Sequence, residues 1–176
     1  EMGGRIRRRP GRIIEIQGVA SLQGAIHQIM PDRNEAVSYG CAALVTKGDI
    51  VIENANAGHL EAFIDKVREI GGGYEVGQYG TRFFYKGPLT ATDVTTQIHP
   101  GFMTDWQPLF TTVLTQCTGE SILHETIMPR RFQHIESLKQ MGAQIEYVTL
   151  DVPFPEKVYN FNLDDDHEGD FHAVKI

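Results

Sequence analysis

Met141-Gly142-Ala143-Gln144-Ile145 closes an apolar helical pattern with a glycine and passes straight into a strand-like run. The same device occurs at Ile70-Gly71-Gly72-Gly73-Tyr74 and, at the front, at Met2-Gly3-Gly4-Arg5-Ile6. Glycine ends helices because it enters the left-handed region without a Cβ penalty, so each copy reads as a helix stop followed by a strand. Three helix ends of one design within 176 residues point to an internal repeat.

The pattern extends backwards from each stop. Leu60, Phe63, Ile64, Val67 and Ile70 recur at the spacing of an amphipathic helix, as do Phe132, Ile135, Leu138 and Met141. Further upstream, Pro31-Asp32-Arg33-Asn34-Glu35 aligns with Thr104-Asp105-Trp106-Gln107-Pro108, and each stretch opens another helical pattern. Val37, Cys41 and Leu44 share one face of the first, and Leu109, Phe110, Val113 and Cys117 one face of the second. Gly48 and Gly119 mark turns into β-type runs at residues 49–53 and 120–124. Strands or hairpins follow the stops at residues 5–16, 74–85 and 144–150.

The unit therefore reads β-α-β-α-β-β and is roughly 70 residues long. Residues 1–150 are expected to form a partial domain of such repeats, in the α/β (α+β) class. The front of the chain reads as the last residues of a helix whose body lies upstream. Pro153 and Pro155 break the pattern, and Asp164, Asp165, Asp166, Glu168 and Asp170 follow. Residues 151–176 are thus expected to be an irregular acidic tail or the start of a further repeat.

Bulk composition narrows the function classes. With 41% hydrophobic residues the chain can bury one core, and no apolar run is long enough for a membrane span. A soluble, cytoplasmic protein is expected. Arg5, Arg7, Arg8, Arg9 and Arg12 crowd the front, but a net charge of −7 argues against nucleic acid, and a hairpin turning at Pro10-Gly11 explains them. The two cysteines, Cys41 and Cys117, fall in helical core register and read as buried thiols rather than a nucleophile or a disulfide. The seven histidines show no metal spacing, and Asp164-Asp165-Asp166-His167 reads as a solvated loop. Gly71-Gly72-Gly73 lacks the spacing of a dinucleotide loop.

Two stretches could carry chemistry. In His99-Pro100-Gly101-Phe102-Met103-Thr104-Asp105, an irregular loop leads into a helix start. The positive end of the helix dipole favours a carboxylate there, which suits a general base facing a hydroxyl. Aspartate is also ordinary helix punctuation, and Asp32 holds the same place in the other copy. In Glu125-Thr126-Ile127-Met128-Pro129-Arg130-Arg131, backbone groups and both arginines could meet an anion. The matching stretch, Asn54-Ala55-Asn56-Ala57-Gly58, has no arginine.

Together with Pro31-Asp32-Arg33-Asn34-Glu35, Arg131-Phe132-Gln133-His134 and Leu138-Lys139-Gln140-Met141-Gly142-Ala143, these pieces resemble the bacterial UDP-N-acetylglucosamine enolpyruvyl transferases (1-carboxyvinyltransferases) over roughly residues 1–148. The relatives that make 5-enolpyruvylshikimate-3-phosphate share the fold and match these motifs less well. The resemblance implies two similar halves, each of three β-α-β-α-β-β units forming an inside-out α/β barrel, with the active site between them. This chain would be part of the second half. It implies transfer of enolpyruvyl from phosphoenolpyruvate to the 3-hydroxyl of UDP-N-acetylglucosamine, the first committed step of peptidoglycan synthesis, with no cofactor and no metal.

By motif, Asp105 would take the proton of the sugar hydroxyl, Ile127 would contact the nucleotide sugar through its backbone, and Arg131 would stand at the cleft edge. Met103 stands where the family commonly has proline, and Pro129 where it has an acidic residue. The family's loop cysteine, Lys-Asn pair and phosphate-binding arginines belong to other parts of such a protein. These residues alone are therefore expected to be inactive without the missing half and third repeat. A non-catalytic nucleotide-sugar binding module and a repeat scaffold are the alternatives.

Overall fold

The computed structural model describes residues 1–167 and 169–176, so Glu168 of the acidic run lies outside the described residues. The chain forms two compact units, Glu1–Met30 and Pro31–Ile176. In the first unit, β1 (Arg5–Arg9) and β2 (Ile13–Gln17) pair antiparallel with Arg7 opposite Glu15. Gly11 and Arg12 turn the chain at positive φ. Arg9 reaches Glu15 at 2.6 Å, and every residue of the unit is exposed.

The second unit holds the repeats. Its first copy runs α1 (Arg33–Val45), β3 (Asp49–Glu53), α2 (Glu61–Glu69), β4 (Gly73–Gly77) and β5 (Gly80–Phe84). After the short strand β6 (Val94–Thr95), the second copy runs α3 (Gln107–Leu114), β7 (Ile122–His124), α4 (His134–Gln140), β8 (Glu146–Val148), a short α5 (Pro155–Val158) and β9 (Ala173–Lys175). The sheets are ordered β3-β5-β4 and β6-β7-β9-β8. In both copies the middle strand pairs antiparallel on each side: Phe83 lies between Ile50 and Tyr74, and Val174 between Leu123 and Tyr147. Cross-strand ion pairs repeat the scheme, with Arg82 on Asp49 and Glu75, and Lys175 on Glu120 and Glu146.

This topology corrects the expected end of the repeats. Ala173–Lys175 is neither an acidic tail nor a new repeat, because it supplies the middle strand of the second copy. The β4–β5 turn uses only residues 78–79, whereas residues 149–172 separate β8 from β9. Sequence alone does not link the two strands, because their hydrogen bonding spans an insertion with no repeat signal. The stops after α2 and α4 share one conformation, with φ of 83° at Gly71 and 97° at Gly142, and Gly3 has a similar φ of 89°. Met141 differs from its expected place in the core. Lying at the C-cap of the short α4, it is 76% exposed.

The two copies share one core. Phe63 of α2 is fully buried and meets Phe83 of β5, Trp106 and Phe110 in edge-on contacts with centroids 5.3, 6.3 and 6.0 Å away. Trp106 satisfies its one polar group on Asn34 Oδ1 at 2.9 Å, tying the start of α3 to the start of α1. Because Phe63 joins both copies, Phe63→Ala should lower the unfolding free energy by about 3–5 kcal/mol. Denaturant titration would read this, and a loss below about 1 kcal/mol would mean that the copies are not held together here.

Candidate active site

The two candidate stretches lie side by side because β6 and β7 are parallel neighbours. Each strand ends in a loop at the same edge of the sheet, residues 96–106 after β6 and 125–133 after β7. The first loop is closed by Gln97 N–H on Phe102 O at 2.7 Å, and the His99-Pro100 peptide bond is cis. A Cβ at position 101 would lie 2.4 Å from Gln97 Cβ, so glycine fits this path where a side chain would clash.

Both loops are organised by one buried carboxylate. Glu125 is 1% exposed. Its Oε1 accepts from Thr96 Oγ1 at 2.8 Å and from the amides of Ile127 and Met128 at 2.9 and 3.1 Å. Its Oε2 accepts from Thr104 Oγ1 at 2.9 Å. Thr96 also receives the Thr126 amide at 2.8 Å, and Thr126 Oγ1 returns a bond to Thr96 O at 2.5 Å. Buried charges need this degree of hydrogen bonding, since an unpaired one is far more costly than a neutral polar group.

Asp105 sits next to Thr104 within a 3-10 turn, Thr104–Trp106, that runs into α3. The expected capping role does not hold. Asp32 does cap α1, accepting from the Asn34 amide at 2.7 Å, whereas the cap of the 3-10 turn is Met103 and Asp105 makes no capping bond. Instead Asp105 Oδ1 accepts from Arg131 Nη2 at 2.7 Å across the two loops. Their side chains are 46% and 30% exposed, so the pair can be reached from solvent. Among the described residues, Asp105 Oδ2 accepts no hydrogen bond. A carboxylate held by one oxygen and open at the other can receive a proton from a hydroxyl within reach.

The family departures fit this geometry. Met103 has φ −73°, which a proline ring would also adopt. Pro129 opens a turn whose next residue, Arg130, has φ 56°. The two arginines part here. Arg131 goes to Asp105, while Arg130 gives Nε to Asp170 Oδ2 at 2.9 Å and Nη2 to Asp165 O at 2.8 Å. Arg130, read from sequence as an anion ligand, is thus already engaged. The Ile127 amide is likewise committed to Glu125.

The chain is similar to known proteins in sequence and fold. The family model of EPSP synthase (3-phosphoshikimate 1-carboxyvinyltransferase) matches residues 1–157. The chain belongs to this family. It is 45% identical over 135 residues to the UDP-N-acetylglucosamine 1-carboxyvinyltransferase of Protochlamydia amoebophila, covering 76% of this chain and 29% of that protein. It is 42% identical over 145 residues to the enzyme of the same name from Halothermothrix orenii, covering 82% of this chain and 35% of that protein. The chain thus spans about a third of the length of the curated relatives it matches. The crystal structure of the enolpyruvyl transferase NikO from Streptomyces tendae superposes with a TM-score of 0.72 at 18% identity, covering 99% of this chain and 37% of that one. EPSP synthase from Acinetobacter baumannii gives 0.53 at 14% identity, covering 99% and 36%. Both likenesses place the repeats in the enolpyruvyl-transferase fold.

Within this family fold, the residue that sequence reading missed is Glu125. It was visible only as the first letter of a loop, and no spacing rule announces a carboxylate that takes four donors. Thr96 and Thr104 were silent for the same reason. Of the two cysteines expected to be buried, Cys41 is buried and Cys117 half-buried. Burial pushes the Cys41 thiol well above its ordinary value and raises Cys117 to about 11.

Replacing Glu125 tests the hub. Glu125→Leu strands two amides and two hydroxyls and should cost about 3 kcal/mol or more. Glu125→Gln should cost about 1 kcal/mol, because a threonine hydroxyl can turn to accept from the new amide. Equal, small losses in urea titrations would remove the hub role.

A pH effect follows from two histidines. Burial lowers the pKa of His124, with a smaller push from His172, and burial likewise lowers that of His134. The unfolded chain then protonates first as pH falls, so their contribution is intact above the ordinary value of 6.5 and is lost as pH falls toward the folded values. The urea midpoint should drop between about pH 7.5 and about pH 5.5, and drop less in His134→Gln. An identical drop in the variant would exclude His134 as a source.

Proposed function

We propose that this chain supplies part of one half of an enolpyruvyl transferase that moves the enolpyruvyl group of phosphoenolpyruvate to the 3-hydroxyl of UDP-N-acetylglucosamine. The observation that carries this reading is the identity of 40–45% to proteins of that name over about three quarters of the chain. The same motifs hold Asp105 away from capping and against Arg131. In this reading the open oxygen of Asp105 takes the proton of the sugar hydroxyl as its oxygen bonds to the enolpyruvyl carbon, and phosphate leaves. Arg131 keeps Asp105 in place and offers positive charge at the cleft edge. The Ile127 carbonyl accepts a hydrogen bond from the nucleotide sugar. The remainder of the protein completes the site and binds phosphoenolpyruvate.

The reaction places the protein in peptidoglycan synthesis in a bacterial cytoplasm. Among the described residues, no helix is long and apolar enough to cross a membrane.

The test is Asp105→Asn and Asp105→Ala in the complete protein. Loss of a general base should lower kcat by about 10²–10⁴-fold, with the KM for UDP-N-acetylglucosamine little changed. Turnover within about twofold of the parent would exclude Asp105 as the base. A parent that binds UDP-N-acetylglucosamine without turnover would instead favour a nucleotide-sugar binding module.

A further inference from the structure

The insertion at residues 149–172 is the largest difference between the two repeats, and the family match stops inside it at residue 157. The family model does not extend over residues 158–172. That remainder is fastened to the back of the 125–131 loop. Tyr159 Oη and His124 Nε2 are 2.9 Å apart, with the two rings packed edge to face at 5.3 Å. The Asn160 amide donates to Thr126 O at 2.8 Å, and the Glu125 amide donates to His172 O at 2.7 Å. Arg130 binds both Asp170 and the carbonyl of Asp165. Asp170 also takes the His167 amide at 2.9 Å, and its side chain is only 17% exposed.

Arg130 is the decisive residue. Its φ of 56° is a conformation that a residue with a Cβ seldom adopts unless its surroundings hold it there. Among the described residues, its side chain hydrogen-bonds only to the insertion, at Asp170 and Asp165. With the backbone so turned, neighbouring guanidinium groups serve different sides of the loop: Arg130 faces the insertion and Arg131 faces Asp105.

We propose that the insertion, anchored through Tyr159, Asp165 and Asp170, is a strap that positions the 126–131 loop and assigns the two arginines, so that the site meets the nucleotide sugar with a preset loop. Asp170 and Tyr159 are positioning residues in this scheme. The effect on nucleotide-sugar affinity rests on the transferase reading above; the effect on the loop does not. Freed from the strap, the loop must be ordered by the ligand at binding, which weakens affinity while leaving the chemistry of the bound complex intact.

The test uses Asp170→Asn and Tyr159→Phe in the complete protein, with two readouts. Amide hydrogen exchange at residues 126–131 needs no substrate and should accelerate in both variants. The KM for UDP-N-acetylglucosamine should rise about tenfold, equivalent to about 1.4 kcal/mol, with kcat within about twofold. Unchanged exchange in both variants would overturn the strap, and so would a loosened loop with an unchanged KM. If one variant fails to fold, the other decides. If the parent does not turn over UDP-N-acetylglucosamine, the transferase reading falls, and exchange alone still decides whether the strap holds the loop.

Discussion

A carboxylate taken out of water must find donors or lose its charge, and the site depends on how this chain meets that demand at Glu125. Its four donors come from three places: Thr96 at the end of β6, Thr104 at the entrance to α3, and the amides of Ile127 and Met128 after β7. Each of these segments lies where a strand or helix begins or ends. The carboxylate bonds to all three and so fixes the distance between the Asp105 turn and the Arg131 loop. The Asp105–Arg131 pair is exposed and would be a weak, salt-sensitive contact on an ordinary surface. It sits on a frame that the buried glutamate has already set.

The internal duplication gives a comparison within one molecule. Asp32 and Asp105 occupy matching places, and the strands behind them pair in the same order and register. Asp32 does what helix chemistry asks of it and caps α1. Asp105 does not, because the 3-10 turn at Thr104–Trp106 starts the helix earlier and leaves its carboxylate pointing at the neighbouring loop. A single turn of backbone separates a structural aspartate from one available to a hydroxyl. The arginine that meets it has no counterpart in the first copy.

The second copy also shows how a repeat tolerates insertion. The β4–β5 and β8–β9 hairpins share a pairing scheme, although one closes through residues 78–79 and the other through residues 149–172. Loop closure grows costlier only slowly with length, so a long excursion is compatible with an unchanged sheet. The excursion is ordered where it contributes contacts, through the Tyr159, Phe161, His172 and His124 rings and the Arg130 pair.

Periodicity and punctuation are local properties, so much of the fold was legible in the sequence. The glycine stops at Gly71 and Gly142, the apolar faces of α1 to α3, the hairpin at Pro10-Gly11 and the buried Cys41 thiol all followed from spacing of a few residues. The motifs around Asp105, Ile127 and Arg131 pointed to the right family for the same reason. Contacts between distant segments were not legible. That β9 returns to pair with β8 and β7, that Arg130 is engaged by Asp170, and that Glu125 joins Thr96 to Thr104 depend on which surfaces meet after folding. The sequence determined the repeating elements and their family; only the tertiary structure decided which aspartate caps a helix and which pairs with an arginine on the next loop, because hydrogen bonds between distant residues leave no period to read.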